Sequence, residues 1–210
     1  MSNSLNKSQI ERFSRQLILK NVGAKGQKKV ISSKILIIGV GGLGCPAAEN
    51  LTRAGIGTIG LVDNDVVNLS NIHRQSLFNS KDIKKSKVNV AAKKLKDINP
   101  FTKIKKYNTR LNEKNIKNII QNYDIVIDGT DNFKTKFLIN DYCLKLKKKL
   151  ITGAISKFDG HVFTFDFKDK KVASLRNFYQ HLPALDLNLH FGLLRQLLAL
   201  YEQVLKHWIL

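Results

Sequence analysis

The chain alternates between short continuous apolar runs and longer stretches whose apolar residues recur every three or four positions. The runs 35–38 (Ile-Leu-Ile-Ile), 58–62, 123–128 and 150–153 have the length of strands buried on both faces. A further strand is expected over 103–107. Between them, Ala47, Ala48, Leu51 and Ala54 mark one helical stripe, and Val88, Ala91, Ala92 and Leu95 another, the latter opened by Ser86 as cap. Helices are also expected over 115–120 and 134–146. Near the start, Ser8 with Glu11 reads as a capping box opening a helix with Phe13 and Leu17 on one face. Gly23 and Gly26 are expected to end that helix before a short basic segment. Residues 161–167 alternate at period two, as a half-buried antiparallel edge strand does. Residues 192–210 carry a broad helical apolar face, suited to docking or an oligomer contact. Together these predict an α/β fold: a doubly wound, mostly parallel sheet with helices on both faces, an antiparallel edge, and added N- and C-terminal helices.

Composition narrows the setting. At 210 residues the chain is long enough for one substantial core. No apolar stretch approaches membrane-span length, and MSNSLNKSQ lacks the apolar centre of a signal peptide. Cys45 and Cys143 have no framework or ligand spacing and read as packed thiols, so a cytoplasmic setting is expected. His181, His190 and His207 likewise lack ligand spacing. The net charge of +20 raises nucleic acid as a partner. The lysine clusters at 84–87, 103–106 and 147–149 fall in different elements without interleaved aromatics, so nucleic-acid binding is not expected. The same charge suits an acidic protein or a polyphosphate. Only three basic residues fall in the last 39 positions, which divides the chain into 1–171 and a differently composed tail, 172–210.

Chemistry concentrates after the first strand. Gly39, Gly41 and Gly44, with Gly42 added, form G-x-G-x-x-G between a strand and a helix, and Asp63 ends the next strand. This is the Rossmann-like nucleotide-binding unit: glycines admit phosphate to a helix N-terminus and the acid faces ribose hydroxyls. The unit alone leaves an NAD-dependent oxidoreductase open. Arg74 in the loop after the acid, Lys87 in the first turn of the next helix, and Asp131-Asn132 after a later strand belong to one rim of such a sheet. That cation excess suits a triphosphate with Mg²⁺ better than hydride transfer. Lys87 opposes the helix macrodipole, so it either points away or meets an anion. Arg15, from spacing alone, reads as an ordinary exposed arginine.

The segments RFSRQLIL (12–19), GVGGLGCP (39–46), LVDNDVVNLSNIHRQ (61–75), SKVNVA (86–91), INP (98–100), DGTDN (128–132) and TGAISKFDGHVFTF (152–165) resemble the HesA/MoeB/ThiF family, in order, from about Ser8 to Phe167. The resemblance makes 1–171 an ATP-binding adenylation domain and 172–210 a divergent, shorter tail with a docking helix. It implies an adenylyltransferase: the C-terminal Gly-Gly carboxylate of a ubiquitin-like sulfur carrier attacks ATP, giving an acyl-adenylate and pyrophosphate. A sulfurtransferase or cysteine desulfurase then supplies sulfur for molybdopterin or thiamine synthesis. The implied nucleotide site comprises Gly39, Gly41, Gly42, Gly44, Asp63, Ser70, Asn71, Ile72, His73, Arg74, Lys87, Asp131 and Asn132, with Asp131 holding Mg²⁺. Arg74, Lys87 and Asp131 would be catalytic. So would Arg15, reaching the partner's ATP across a homodimer, against the reading from spacing. A related tRNA-modifying dehydratase and a catalytically impaired ATP-binding member are the alternatives.

The sequence departs from the family after the 161–167 strand. The family carries two C-x-x-C pairs that bind zinc. Here Ser174-Leu175-Arg176-Asn177 stands where the first pair is expected, and no cysteine follows Cys143. Zinc is therefore expected to be absent. So is any step through a covalent persulfide or thioester.

Overall fold

Strand β1 (Lys34–Ile38) is central to a single six-stranded sheet of order β3-β2-β1-β4-β5-β6, formed with β2 (Thr58–Val62), β3 (Lys103–Tyr107), β4 (Ile125–Asp128), β5 (Lys149–Ser156) and β6 (Asp159–Asp166). The computed structural model describes residues 5–156 and 159–178. The first five strands are parallel, and β6 closes the edge antiparallel to β5. Each parallel step passes through a helix: α4 (Gly44–Ala54), α5 (Lys87–Ile98), α6 (Ile116–Ile120) and α7 (Phe133–Lys145). Alternate residues of β1 face opposite layers, as the two-residue period of a strand requires. Ile35 and Ile37 pack with Leu51, Val88 and Leu95 of α4 and α5. Leu36 and Ile38 pack with Ile116, Ile120, Ile139 and Cys143 of α6 and α7. Burial on both faces is why β1, β2 and β4 read as apolar runs, while the edge strand β3 is mostly exposed and lysine-rich.

Two expectations near the N-terminus need correction. The helix cap is Asn6, not Ser8. Asn6 Oδ1 accepts the Gln9 N–H at 2.9 Å, Gln9 Oε1 accepts the Asn6 N–H at 3.0 Å, and Ser8 lies within the first turn. The helical stretch is then divided at Phe13 into α1 (Lys7–Arg12) and α2 (Ser14–Leu17), because Phe13 turns inward, 2% exposed, against Gly55. Gly23 and Gly26 do not precede an irregular basic segment. Gly23, at φ +52°, opens a ten-residue helix α3 (Gly23–Ser32) that buries Gln27 and Val30. Tertiary burial of that face overrides the low helix propensity of glycine.

At the other end, α8 (Leu175–Phe178) docks on α7. The Leu175 N–H donates to Asn140 Oδ1, and Arg176 makes a two-pronged ion pair with Asp141. The expected helix over 192–210, and His181, His190 and His207, lie outside the described residues. Among the described residues no helix is long and apolar enough to cross a membrane.

Candidate functional site

The strand order reverses direction of growth between β1 and β4, and open parallel sheets bind ligands outside the carboxyl ends of strands at that point. A cleft of about 540 Å³ opens there, within the range of ligand sites. The glycine turn between β1 and α4 forms its floor. Gly39 takes φ +88°, which only glycine adopts freely, and its N–H extends the β1–β2 ladder to Val62 O. Gly44 passes so close that a Cβ would stand 1.9 Å from Gly39 O. Gly44 therefore lies beneath the cleft and tightens the turn, while Gly39, Gly41 and Gly42 line the wall.

Asp63 follows β2 and holds two backbone N–H groups, Val40 at Oδ2 and Asp65 at Oδ1, each at 2.8 Å. Each oxygen keeps a second lone pair for a ligand hydroxyl. The loop after Asp63 folds back on the approach to α5: Val67 N–H donates to Lys85 O and Lys87 N–H to Asp65 O. This pairing brings Lys87 to the rim although it is 24 residues beyond Asp63 in sequence. Lys87 is 6% exposed, and its Nζ lies 3.2 Å from Asp65 Oδ2. The anion that this cation needs at a helix N-terminus is Asp65, which sequence reasoning did not single out. Ser86 occupies the cap position without a capping bond, its hydroxyl turned to Asn108.

Asn71 and Arg74 also line the cleft. The Arg74 guanidinium donates to Ser70 O at 2.9 Å and contacts His73 Nε2 at 2.8 Å. Ser70, Ile72 and His73 themselves are not on the wall; the short 3-10 turn Leu69–Asn71 that contains Ser70 supports Arg74 from behind. From the other side of the switch point come Thr130, Asp131 and Asn132, between β4 and α7. Asn132 caps α7 through the Thr135 N–H. Asp131 is exposed on the cleft wall, and Asn132 Nδ2 lies 3.5 Å from its Oδ1.

The wall includes further residues that motif reading passed over. Thr109, Arg110 and Leu111 reach it from the loop after β3, a segment whose sequence carries no signature. Gln75 is 3% exposed, and its Oε1 has no hydrogen-bond partner among the described residues.

Arg15 is not part of this chain's cleft. It belongs to α2, and Arg12 just before it donates to Ile98 O at the far end of α5. That end is about 16 Å along the helix from Lys87. Phe13 and Gln9 lie beside Thr58 and Lys103, at the amino ends of β2 and β3, opposite the cleft. Both cysteines are buried. Burial pushes the Cys45 thiol up to about 12, and the Cys143 thiol is raised for the same reason. Among the described residues no group of three or more His, Cys, Asp or Glu converges as a metal cluster. Ser174 and Asn177, the positions compared above with a cysteine pair, bond to each other: Asn177 Oδ1 accepts both Ser174 N–H and Ser174 Oγ–H, closing the turn that starts α8.

Known proteins are similar to this chain in sequence and fold. A family model described as the ThiF family matches residues 13–187. A probable molybdopterin-synthase adenylyltransferase of Porphyra purpurea is 47% identical over 157 residues, 75% of this chain and 41% of that protein. A sulfur carrier protein adenylyltransferase of Thermus thermophilus is 41% identical over 159 residues, 76% of this chain and 59% of that protein. This chain thus spans between two fifths and three fifths of the length of these relatives. Among solved structures, the E. coli tRNA N6-threonylcarbamoyladenosine dehydratase in complex with AMP superposes with a TM-score of 0.68 at 30% identity, over 72% of this chain and 62% of that one. Sheet order, glycine turn and family model agree, and the chain belongs to the ThiF family.

Proposed function

We propose that this chain binds ATP in the cleft and adenylylates the C-terminal Gly-Gly carboxylate of a ubiquitin-like sulfur carrier, in molybdopterin or thiamine synthesis. The observation that carries the reading is the convergence of Arg74, Lys87 and Asp131 on one cleft floored by Gly39, Gly41 and Gly42. The names of the two adenylyltransferase relatives support it. The glycine turn cradles phosphates at the N-terminus of α4, and Asp63 takes the ribose hydroxyls. Asn71, Arg74 and Lys87 spread over the phosphates, Lys87 exchanging Asp65 for a phosphate oxygen.

Magnesium fits the residues present. It is usually held by one or two carboxylates plus substrate phosphates rather than by a protein cage, and Asp131 is one exposed carboxylate on the wall. When bound it supplies charge neutralisation on the leaving pyrophosphate. The carrier carboxylate is already ionised at neutral pH, so no base is needed. Its oxygen forms a bond to the α-phosphorus as the bond to the pyrophosphate oxygen breaks, giving acyl-adenylate and pyrophosphate. Positioning and charge neutralisation carry the catalysis. Arg15 is supplied from a second copy in a homodimer, and a sulfurtransferase or cysteine desulfurase completes the sulfur transfer, in the cytoplasm.

The test is ATP–pyrophosphate exchange with and without a Gly-Gly-ended carrier. Exchange that depends on the carrier and falls about 100-fold or more in Lys87→Ala or Asp131→Ala is expected. Exchange indifferent to both substitutions would overturn the site. The likeness to the AMP-bound dehydratase, with the net charge of +20, favours one second reading: activation of a nucleoside carboxylate in tRNA. Specific tRNA binding at physiological salt, without carrier-dependent exchange, would select it.

A further inference from the structure

Beneath the loop that carries Asp131 lies an ion pair cut off from solvent. Lys136 in α7 and Asp128 at the end of β4 have side chains 2% and 0% exposed, with Nζ 3.1 Å from Oδ2. Every bond around them is specific. Asp128 Oδ2 also accepts the Thr152 hydroxyl at 2.6 Å, while Oδ1 accepts the Thr130 N–H at 2.9 Å and the Thr130 hydroxyl at 2.6 Å. Lys136 Nζ donates in addition to Gly153 O at 2.7 Å. Neither residue lines the cleft.

A buried ion pair is a poor device for stability, since well-packed apolar residues of the same size serve as well or better. It is a good device for geometry, because each partner is intolerant of displacement from the other. Here the displaced object would be a loop of the site. Gly129 is packed against the glycine turn, with Gly39 O 3.3 Å from where a Cβ would be. Asn132 is fixed as the cap of α7. Thr130 and Asp131 span the gap, and Asp128 holds Thr130 through both its N–H and its hydroxyl. Lys136 bonds the carboxylate that bonds Thr130, and Thr130 directly precedes Asp131 in the loop.

We infer that Lys136 is a positioning residue which, through Asp128 and Thr130, presets the Asp131 loop to receive a magnesium–nucleotide complex. The inference rests on the ATP reading above, and it extends that reading to a lysine that touches no ligand. It separates the metal-dependent part of nucleotide binding from the rest: the glycine turn, Asp63 and Lys87 grip nucleotide without Asp131.

The experiment is calorimetry of ATP binding to the full chain with Mg²⁺ and with EDTA, alongside exchange kinetics. Lys136→Met is expected to weaken binding about tenfold or more in Mg²⁺, the cost typical of losing a residue that supports a metal ligand. In EDTA it should bind as the unsubstituted chain does. Lys136→Arg, which keeps the charge, should recover most of the Mg²⁺-dependent affinity. The paired variant Asp128→Asn/Lys136→Met removes both charges, so no lone buried charge remains, and it should show the same selective loss. Equal weakening in Mg²⁺ and EDTA, unchanged affinity in both, or failure of the paired variant to fold would each assign the pair to general stability and overturn the inference. A chain that binds Mg²⁺–ATP but shows no carrier-dependent exchange overturns only the functional reading, and the inference then stands or falls on affinity. A chain that binds no nucleotide overturns both.

Discussion

Individual side chains in this protein take their chemistry from what surrounds them more than from what they are. Cys45 and Cys143 show this plainly: with the Cys45 thiol raised to about 12 by burial, neither carries a usable thiolate fraction at pH 7. The native chain should therefore leave a thiol reagent unreacted at neutral pH, and the unfolded chain should consume two equivalents. Fast labelling of native protein would show that one of the helices opens. Asp141 is the opposite case. The Arg176 guanidinium bonded to it holds its carboxyl below the usual carboxylate range. A depressed folded value contributes stability above the unfolded value and loses it as pH falls through the folded one. The pair is about half exposed, so Asp141→Asn should cost less than about 1 kcal/mol at pH 7. That difference should close below about pH 4, which melts of both proteins across that range would register.

Among the elements, the strand–turn–helix from β1 to α4 has the least freedom. Gly39, Gly44 and Gly129 bring three backbone segments together with no room for a side chain, since a Cβ on Gly44 would overlap Gly39 O. Gly44→Ala should destabilise by about 3 kcal/mol or more, because the obstacle is backbone and cannot swing aside. A urea midpoint within error of the unsubstituted chain would show that the turn can widen. The same substitution should weaken nucleotide binding, as the turn is the cleft floor. Helices α1 and α2 illustrate the converse. Their cap at Asn6 and the break at Phe13 are set by one bonded side chain and one buried ring.

At the scale of the molecule, Arg15 is not on the cleft wall, and its neighbour Phe13 lies at the amino ends of the strands, opposite the cleft. Under the proposed function this makes one chain incomplete. Arg15→Ala and Lys87→Ala should each inactivate exchange, yet their mixture should recover about a quarter of the unsubstituted activity, as random re-pairing makes half the dimers mixed with one intact site each. No recovery on mixing would remove Arg15 from the site. The charge of +20 acts at this scale too, since a net charge of one sign attracts ions and surfaces of the other most strongly at low salt.

Periods and spacings are local quantities, and whatever depended on them was present in the amino-acid order alone. Strand 58–62 was legible to the residue, as were the two-faced layering and the antiparallel edge, because burial on one or both faces imprints a period on each segment separately, whereas the strand expected around 103–107 is the mostly exposed edge strand β3 and carries no such period. Gly39, Gly41, Gly42, Asp63, Asn71, Arg74, Lys87, Asp131 and Asn132, all of which line the cleft, were legible through motifs attached to strand ends. Local signals misled where two were equivalent or where packing overruled one: Ser8 and Asn6 are both good caps, and Gly23 and Gly26 start a helix because its other face is buried. Only the tertiary structure decided which charges meet. Asp65 reaches Lys87 through the pairing of two loop segments, Arg110 reaches the wall from a stretch without a signature, Gln75 reaches it from the end of the quoted 61–75 segment, and Arg15 is not on the wall. Lys136 and Asp128 are separated by a loop whose shape they set, so their contact exists only once the sheet has placed β4 beside β5 and α7 across them.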